Sequence, residues 1–363
     1  MVAGDRTTQE GDQIAVTVTE NRPAETRLPD YPEEDANGVS PRLVRQVLER
    51  ADLTFRAVSR GGGVIVLTIM VMVGVFLTVQ AIPAVASVGV GEFLTTTQWS
   101  PETGEFGIAA ILSGTVMVAL VALIVALPLS LGTSLFITEV ARGGFKRTLT
   151  SIVDLMAAVP SVVFGLWGLA WLQGEIVPFS RWTSTWFGWI PIFAVDGADP
   201  ANPLPNDALY TSSTFIAGLV VALMVIPIMT SMMTESFSRA PVGEREGAYA
   251  LGATRWGMIR SVVLPFGKGG IIGGTMLGLG RALGETIAIY LIISPIFAIN
   301  THILQNGSNS IAAHIALRYG EANDFGMSAL MAAGLTLFLV TMVINFTASI
   351  VIAKSRSGAE SEG

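Results

Sequence analysis

The chain has 363 residues, of which 51% are hydrophobic and only 13% are charged, and its mean hydropathy is +0.60. Soluble domains carry about 25% charged residues, so this composition excludes ordinary soluble domains and indicates a protein that crosses a membrane several times. The net charge of -7 comes largely from the first 39 residues, so the rest of the chain is near neutrality, and no basic surface indicates a nucleic-acid partner. The absence of cysteine excludes disulfides, thiolate metal sites and cysteine nucleophiles.

The N-terminal region is polar. Residues 1–39 contain nine acidic side chains and three arginines without hydrophobic periodicity, which predicts a disordered acidic tail. Ser40-Pro41 then favours a helix start, and apolar residues recur at helical spacing. Because the arginines lie largely off the apolar stripe, residues 40–60 are predicted to form an amphipathic helix at the membrane surface. A soluble docking helix is the alternative.

Six apolar stretches are long enough to cross the roughly 30 Å of hydrocarbon in a bilayer. They lie near 62–86, 108–137, 151–172, 212–234, 269–294 and 327–353. Pro128, Pro160 and Pro227 fall inside three of them, so bent or tilted helices are expected. The predicted fold is all-α: a polytopic domain of six transmembrane helices over residues 61–355, followed by a disordered tail at 356–363.

The distribution of basic residues predicts the orientation in the membrane. Of the 21 lysines and arginines, 18 lie before the first stretch, after the second, after the fourth or after the last. Arg181 and Arg318 lie on the opposite side, and Arg281 is inside the fifth stretch. Both termini are therefore predicted to be cytoplasmic. Most tryptophans, including Trp182 and Trp186, fall near the outward side of this layout.

The connection between the fourth and fifth stretches, residues 235–268, is much longer than a turn requires. It has a run of small residues with charged flanks, which favours a surface helix that fits a groove on a soluble partner, and Pro265 is expected to stop that helix. An amphipathic connector is the alternative.

Part of this connection matches the spacing of a known motif, the EAA loop. The matching residues are Glu246, Gly247, Ala248, Gly252, Leu264 and Pro265. On these residues the chain resembles the permease subunits of ATP-binding cassette (ABC) importers, with glycine in place of the middle alanine. The resemblance implies a type I ABC importer fold. It also implies a coupling helix that docks on an ATPase subunit, with Glu246 as its polar position and Gly252 as its close-contact position.

No phosphate-binding loop of the ATPase kind is present in the sequence. The fragment at 266–269 is the nearest, but residue 262 is valine where the motif requires glycine, and no Ser or Thr follows Lys268. We therefore expect ATP and Mg to bind to a separate ATPase subunit, and this chain to be neither an enzyme nor a cofactor-binding protein. His302 and His314 have no clustered carboxylates in the sequence, so no metal site is expected.

The fifth stretch contains two charges one helical turn apart, Arg281 and Glu285. A charge in mid-bilayer costs between about 3 and more than 10 kcal/mol, so such residues usually face a polar pathway or a partner. Counted from Gly269, Arg281 lies about 18 Å into the membrane. A guanidinium there offers forked donors to an oxyanion, so the two residues are predicted to line a substrate pathway. An internal Arg-Glu pair that only ties the bundle together is the alternative.

A stripe of glycines runs along the same stretch. Gly270, Gly274 and Gly278 recur every fourth residue, which permits close approach of a neighbouring helix. The sequence leaves open whether that neighbour belongs to this chain or to a second permease.

Two further segments narrow the resemblance. LGLGRALGET (277–286) and AAVPSVVFGLWGLAWL (157–172) resemble the permeases of phosphate-specific importers, and the long N-terminus favours the PstC family over its sister PstA family. The resemblance covers about residues 60–353. It implies inward transport of inorganic phosphate by alternating access across the inner membrane. The implied partners are a PstA-like second permease, a PstB-like ATPase dimer and a PstS-like extracytoplasmic phosphate-binding protein.

Three alternatives to phosphate import stay open at this point. The first is a permease for another oxyanion, namely sulfate, molybdate or phosphonate. The second is a gradient-driven anion transporter or channel, which would leave the 235–268 connection without a purpose. The third is a membrane sensor whose transport is vestigial.

Overall fold

A computed structural model describes residues 50–198 and 206–357. The predicted acidic tail (1–39), residues 40–49 of the predicted surface helix and the tail beyond Ser357 lie outside the described residues. Packing groups the chain into two units, Met1–Gly62 and Gly63–Gly363. The packing described below lies within the second unit.

Helices make up most of the described chain. They are α1 (Arg50–Val88), α2 (Val90–Thr95), α3 (Ala109–Leu135), α4 (Gly143–Ala157), α5 (Ser161–Trp167), α6 (Gln173–Phe187), α7 (Thr214–Ser238), α8 (Val242–Ala250), α9 (Arg255–Met258), α10 (Leu264–Leu283), α11 (Ile287–Ile292), α12 (Ile311–Arg318) and α13 (Asp324–Ser357). A small antiparallel hairpin, β1 (Trp99–Ser100) with β2 (Glu105–Phe106), lies between α2 and α3. Within residues 50–198 and 206–357, three π-turns extend or join helices: Phe136–Val140 after α3, Gly168–Leu172 between α5 and α6, and Ile259–Val263 between α9 and α10.

Six helical segments among the described residues are long and apolar enough to cross a membrane, which confirms the predicted number of spans. They are Leu53–Val88, Ala109–Val140, Ser161–Phe187, Thr214–Ser238, Arg255–Leu283 and Asp324–Ile350. We number them as spans one to six in chain order. The second, fourth and sixth agree with the predicted ranges within a few residues, and the others differ as follows.

Helix α1 runs from Arg50 to Val88 without a break. Residues 50–60, the described part of the predicted surface helix, are therefore helical and continuous with span one. No turn separates them at residues 61–63. The location of residues 40–60 at the membrane surface stays a prediction.

Span three begins later than predicted. Residues 151–157 belong to α4, in which no residue is buried, and Pro160 immediately precedes the first residue of α5. Proline lacks a backbone N–H and disfavours helical conformation in the residue before it, so the helix ends here and a new one begins. Trp182 and Trp186, which the sequence placed outside the spans, lie in the last turns of span three.

Span five differs most from its predicted range of 269–294. It begins at Arg255, inside the predicted connection, and ends at Leu283. The prediction that Pro265 stops a helix is wrong, because Pro265 lies in the first turn of α10, directly after a π-turn. A proline cannot donate the regular helical hydrogen bond, and the wider π-turn accommodates the missing donor without ending the span.

The core is built on α3, α7 and α10. In the most apolar window of α7, 61% of residues are buried against the rest of the chain, whereas in that of α1 none are buried. The Ser130 hydroxyl in α3 donates a hydrogen bond to the Ile226 carbonyl in α7 at 3.2 Å, next to Pro227. Helix α7 is thus the central helix of the fold, and most apolar side chains of α1 are left uncovered by the described chain.

Candidate functional site

Arg281 lies in the last turn of α10, and its side chain is exposed. Within the described part of the chain, no hydrogen bond or ion pair involves its guanidinium. The alternative of an internal pair with Glu285 is therefore not what the described structure contains. Gly273 and Gly280 on the same side of α10 have open space where a side chain would begin. We call this side, with Gly273, Leu277, Gly280 and Arg281, the open face of α10.

Glu285 is not on the same helix as Arg281. Residues 284–286 interrupt the helix, and Glu285 lies in this break with only 8% of its surface exposed. Its Oε1 accepts a hydrogen bond from the backbone N–H of Ala288 at 3.2 Å, in the first turn of α11. The carboxylate therefore caps a helix start, where the N–H groups lack partners and the helix dipole favours negative charge. The sequence contains a signal for this break, since Gly284 ends one apolar run and Glu285-Thr286 precede the next.

A cavity lies next to α11, the helix that follows the break. A cavity of about 350 Å³ is lined by Tyr290, Leu291, Ile293, Pro295, Asn309, Ala313 and Leu317. The Asn309 side chain is buried, and its Nδ2 donor has no hydrogen-bond partner in the described structure. Discontinuous transmembrane helices occur where the backbone borders a cavity or pathway. Sequence reasoning did not find Asn309, because it lies in a loop without a motif.

The glycine stripe of α10 packs against α7 of the same chain. A Cβ atom added at Gly270 would collide with the Ser236 side chain, and one at Gly278 would lie 2.7 Å from the Met229 sulfur. One at Gly274 would lie 3.3 Å from the Met229 carbonyl oxygen. The sequence left open whether this neighbour was internal or a second permease. The structure places it in span four, so the stripe positions the helix whose last turn contains Arg281.

The 235–268 connection contains a surface helix, α8 (Val242–Ala250). A surface helix is expected here from the sequence, but α8 is shorter than the helix expected to end at Pro265. Glu246 is exposed, Gly247 has open space around it, and Ala248 packs on the core. Apolar side chains flank the helix without cover: Leu251 is 91% exposed, Val242 67% and Trp256 61%. Such uncovered apolar side chains next to charges are typical of a docking surface.

Gly252 has a conformational role in this structure. Its φ is +85°, and no atom lies within 4 Å of the position of a Cβ. The N–H of Gly252 and that of Ala253 bond back to the carbonyls of Tyr249 and Ala248, which closes the helix end. A left-handed residue at this position is strained unless it is glycine. Gly252 therefore ends α8, and the described chain itself makes no close contact there.

Leu264 and Pro265 belong to span five and not to the surface helix. Leu264 is partly buried against the main core, and Pro265 is exposed in the first turn of α10. The sequence motif thus extends from the surface helix into the span that carries Arg281. This continuity follows from the early start of span five at Arg255.

A buried ion pair connects α8 to the spans, and sequence reasoning did not find it. Arg245 Nη1 lies 3.0 Å from Oε1 of Glu139 and donates to Oε2 at 3.3 Å. Arg245 Nη2 also donates to the Phe237 carbonyl at 2.6 Å, in the last turn of α7. The side chain of Glu139 is 5% exposed and that of Arg245 20%. Because the two residues are far apart in sequence, no spacing rule indicates this pair.

On the other side of the fold, His314 lies in α12 outside the spans. Its ring makes edge contacts with Trp99 and Phe297, and neither ring nitrogen has a partner in the described structure. Burial, with a smaller contribution from the Arg318 charge, lowers the pKa of His314 to about 4. The residue is therefore a neutral packing group near neutral pH. Among the described residues, no group of three His, Asp or Glu side chains could hold a metal ion.

The fold and site together define a class: a polytopic helical permease with a protruding surface helix joined to its spans. Residues 130–356 match the family described as "Binding-protein-dependent transport system inner membrane component". The match covers more than half of the chain, so the chain belongs to this family. It is a multi-pass protein of the inner membrane.

Curated relatives narrow the family. The "Phosphate transport system permease protein PstC 2" of Mycobacterium tuberculosis is 34% identical over 306 residues, which is 83% of this chain and 91% of the relative. The PstC permease of Haemophilus influenzae is 37% identical over 274 residues, which is 73% of this chain and 81% of the relative. The resemblance to PstC permeases is thus confirmed.

A solved structure supports the fold. It is that of a bacterial ABC transporter involved in the import of the acidic polysaccharide alginate, and it covers 84% of this chain and 99% of its own with a TM-score of 0.52. The sequence identity is 19%, so the likeness concerns the fold alone. The predicted ABC importer permease fold is confirmed.

Proposed function

We propose that this chain is a permease subunit of an ATP-driven importer that moves inorganic phosphate into the cytoplasm by alternating access. The observation that carries the proposal is Arg281, an exposed guanidinium without a partner among the described residues, at the broken end of a transmembrane helix. An unpaired charge in a span is costly, so a visiting anion or a partner surface must compensate it. Relatives named phosphate permeases supply the identity of the anion.

The open face of α10 supports a second permease as a partner. Leu277 is 50% exposed, and Gly273 and Gly280 leave a shallow surface next to Arg281. A PstA-like subunit on this face would shield Arg281 from lipid and leave a polar route between the two permeases. The pathway would then lie between subunits, with Arg281 attracting the anion and the buried Glu285 holding the helix break in place.

The surface helix α8 supports an ATPase partner. The uncovered side chains of Val242, Leu251 and Trp256, in and next to α8, would dock in a groove of a PstB-like ATPase dimer, which would bind ATP and Mg. This arrangement requires α8 and both termini on the cytoplasmic side, in agreement with the distribution of basic residues. A PstS-like binding protein would deliver phosphate from the opposite side.

The test is uptake by proteoliposomes that contain the purified complex and the phosphate-loaded binding protein. We expect ATP-dependent uptake of radiolabelled phosphate that excess sulfate, molybdate or phosphonate does not compete away. Competition by one of these would assign the pathway to that oxyanion. Uptake that is driven by an ion gradient in the absence of the ATPase would contradict the importer function altogether. If cells with Arg281→Gln lose phosphate uptake but keep phosphate signalling, the chain has a separate role as a sensor.

Arg281→Gln is the informative variant in this assay, with Arg60→Gln as the matched control. Arg60 is an exposed arginine of α1 far from the helix break in sequence, so its replacement removes the same charge from a different surface. We expect phosphate uptake to be lost only with Arg281→Gln. Equal uptake by the two variants would remove the main support for the proposed pathway.

A further inference from the structure

We infer that Arg245 is a positioning residue that joins α8 to spans two and four as one mechanical unit. The inference rests on the proposed function, because the movement it transmits is the one that an ATPase partner would impose on α8. The Arg245 side chain is mostly buried, unlike the uncovered Leu251 and Trp256 side chains. Its role is to hold the ends of two spans to the docking helix.

Two contacts from one side chain carry the inference. The guanidinium binds the carboxylate of Glu139 and, with a different nitrogen, the carbonyl of Phe237. Glu139 lies in the π-turn that ends span two, and Phe237 lies in the last turn of span four. A planar guanidinium holds two acceptors in a fixed relative orientation, which the single ammonium of lysine cannot do.

Burial makes this connection stiff. The Glu139 side chain is 5% exposed, so water does not compete effectively for the carboxylate, and screening by salt is weak. The Phe237 carbonyl is at a helix C-terminus, where the helix dipole adds to the attraction for a cation. Separating α8 from the spans would leave a buried carboxylate without its counter-charge. A displacement of α8 is therefore transmitted to both helix ends.

An exposed ion pair a few residues before Arg245 provides a matched control. Arg239 forms an ion pair with Glu235 at 2.6 Å, but the two side chains are 71% and 65% exposed, and both belong to the end of α7. This exposed pair joins no separate elements. Arg239→Gln therefore removes the same charge at the same end of the molecule without breaking a link between helices.

The first experiment measures the link directly and does not require a substrate. The chain has no cysteine, so spin labels can be attached at Val140→Cys and Val242→Cys, which replace side chains that are 41% and 67% exposed. In the full-length protein in lipid nanodiscs, we expect a narrow distribution of label distances. Arg245→Gln should broaden it, and Arg239→Gln should leave it narrow. An unchanged distribution in Arg245→Gln would overturn the inference.

The second experiment measures transmission in the assembled complex. We expect Arg245→Gln to lower substrate-stimulated ATP hydrolysis and uptake about tenfold, while the amount of ATPase subunit that copurifies is unchanged. The Arg245→Glu/Glu139→Arg exchange restores the ion pair but not the bond to the Phe237 carbonyl, so it should recover part of the activity. Full activity in Arg245→Gln, or no recovery in a folded exchange variant, would contradict the role.

If Arg245→Gln folds poorly, Arg245→Gln/Glu139→Gln removes both buried charges and leaves hydrogen-bonding groups. This double variant should fold and still show the broad label distribution. A narrow distribution in it would show that the charges do not hold the unit together. A wild-type complex that imports an ion other than phosphate would revise the proposed function, whereas the label distances would still decide the role of Arg245.

Discussion

The broken end of span five and the junction between the surface helix and the spans each contain an arginine and a glutamate, and the two regions use them differently. Arg245 and Glu139 face each other across two elements and are shielded from water. Arg281 has no partner in the described chain, and Glu285 is occupied in capping α11. The paired charge of Arg245 connects elements of the same chain, whereas the unpaired charge of Arg281 is available to a substrate or a partner subunit.

The largest expected effect sharpens the contrast between the two glutamates. Glu139→Gln leaves Arg245 half-buried without its counter-charge, and we expect it to lower the free energy of unfolding by about 3 kcal/mol. Glu285→Gln keeps a side-chain oxygen that can accept the Ala288 N–H, so its stability should change much less. Thermal unfolding of the two detergent-purified variants measures both changes in stability. Equal losses of stability in the two variants would mean that the negative charge of Glu285 also stabilises the fold.

The next prediction concerns Arg281, the arginine without a partner in the described chain. Arg281→Gln should lower phosphate uptake by about 100-fold, since a charged hydrogen-bond pair contributes about 1.5 to 3 kcal/mol and each 1.4 kcal/mol is tenfold. Arg281→Lys should retain part of the uptake, because it keeps the charge without the forked donors. Initial rates in proteoliposomes provide the measurement. Unfolding temperatures should match the wild type, and a large drop in them would indicate a structural role for Arg281 instead.

A smaller effect distinguishes the two faces of α10. Gly270→Leu inserts a side chain against Ser236 in α7, and we expect a loss of about 2 kcal/mol in the free energy of unfolding. Gly273→Leu points into open space on the open face and should not destabilise the isolated chain. Denaturation in detergent measures the free energy of unfolding of the two variants. Should Gly273→Leu prove equally destabilising, the open face would have an internal neighbour.

The smallest expected effect is at the end of α8. Gly252→Ala forces alanine to adopt a φ of +85°, which costs about 1 kcal/mol. Gly247→Ala lies inside the helix with open space around it and should stabilise α8 by up to about 1 kcal/mol. Hydrogen exchange of the α8 amides should become faster in the first variant and slower in the second. The same direction of change in both would contradict the helix-ending role of Gly252.

Much of the fold was predictable because its signals are local. A run of about 20 apolar residues indicates a span whatever surrounds it, and the six spans were recovered in this way. The errors in spans three and five arose where a proline had two possible effects. Pro160 separates two helices, whereas Pro265 lies in a continuous helical segment directly after a π-turn. Whether a π-turn forms depends on packing that the sequence does not display.

The sequence by itself determined the membrane class, the number of spans, the surface helix between spans four and five, and the unusual charges Arg281 and Glu285. These follow from composition, length and spacing along one chain segment. The tertiary structure alone decided that α7 is central and α1 peripheral, although both are strongly apolar. It also decided that the Gly270 stripe packs on α7, and that Arg245 reaches Glu139. Such contacts join residues distant in sequence, and no local periodicity encodes which apolar or charged surfaces come together.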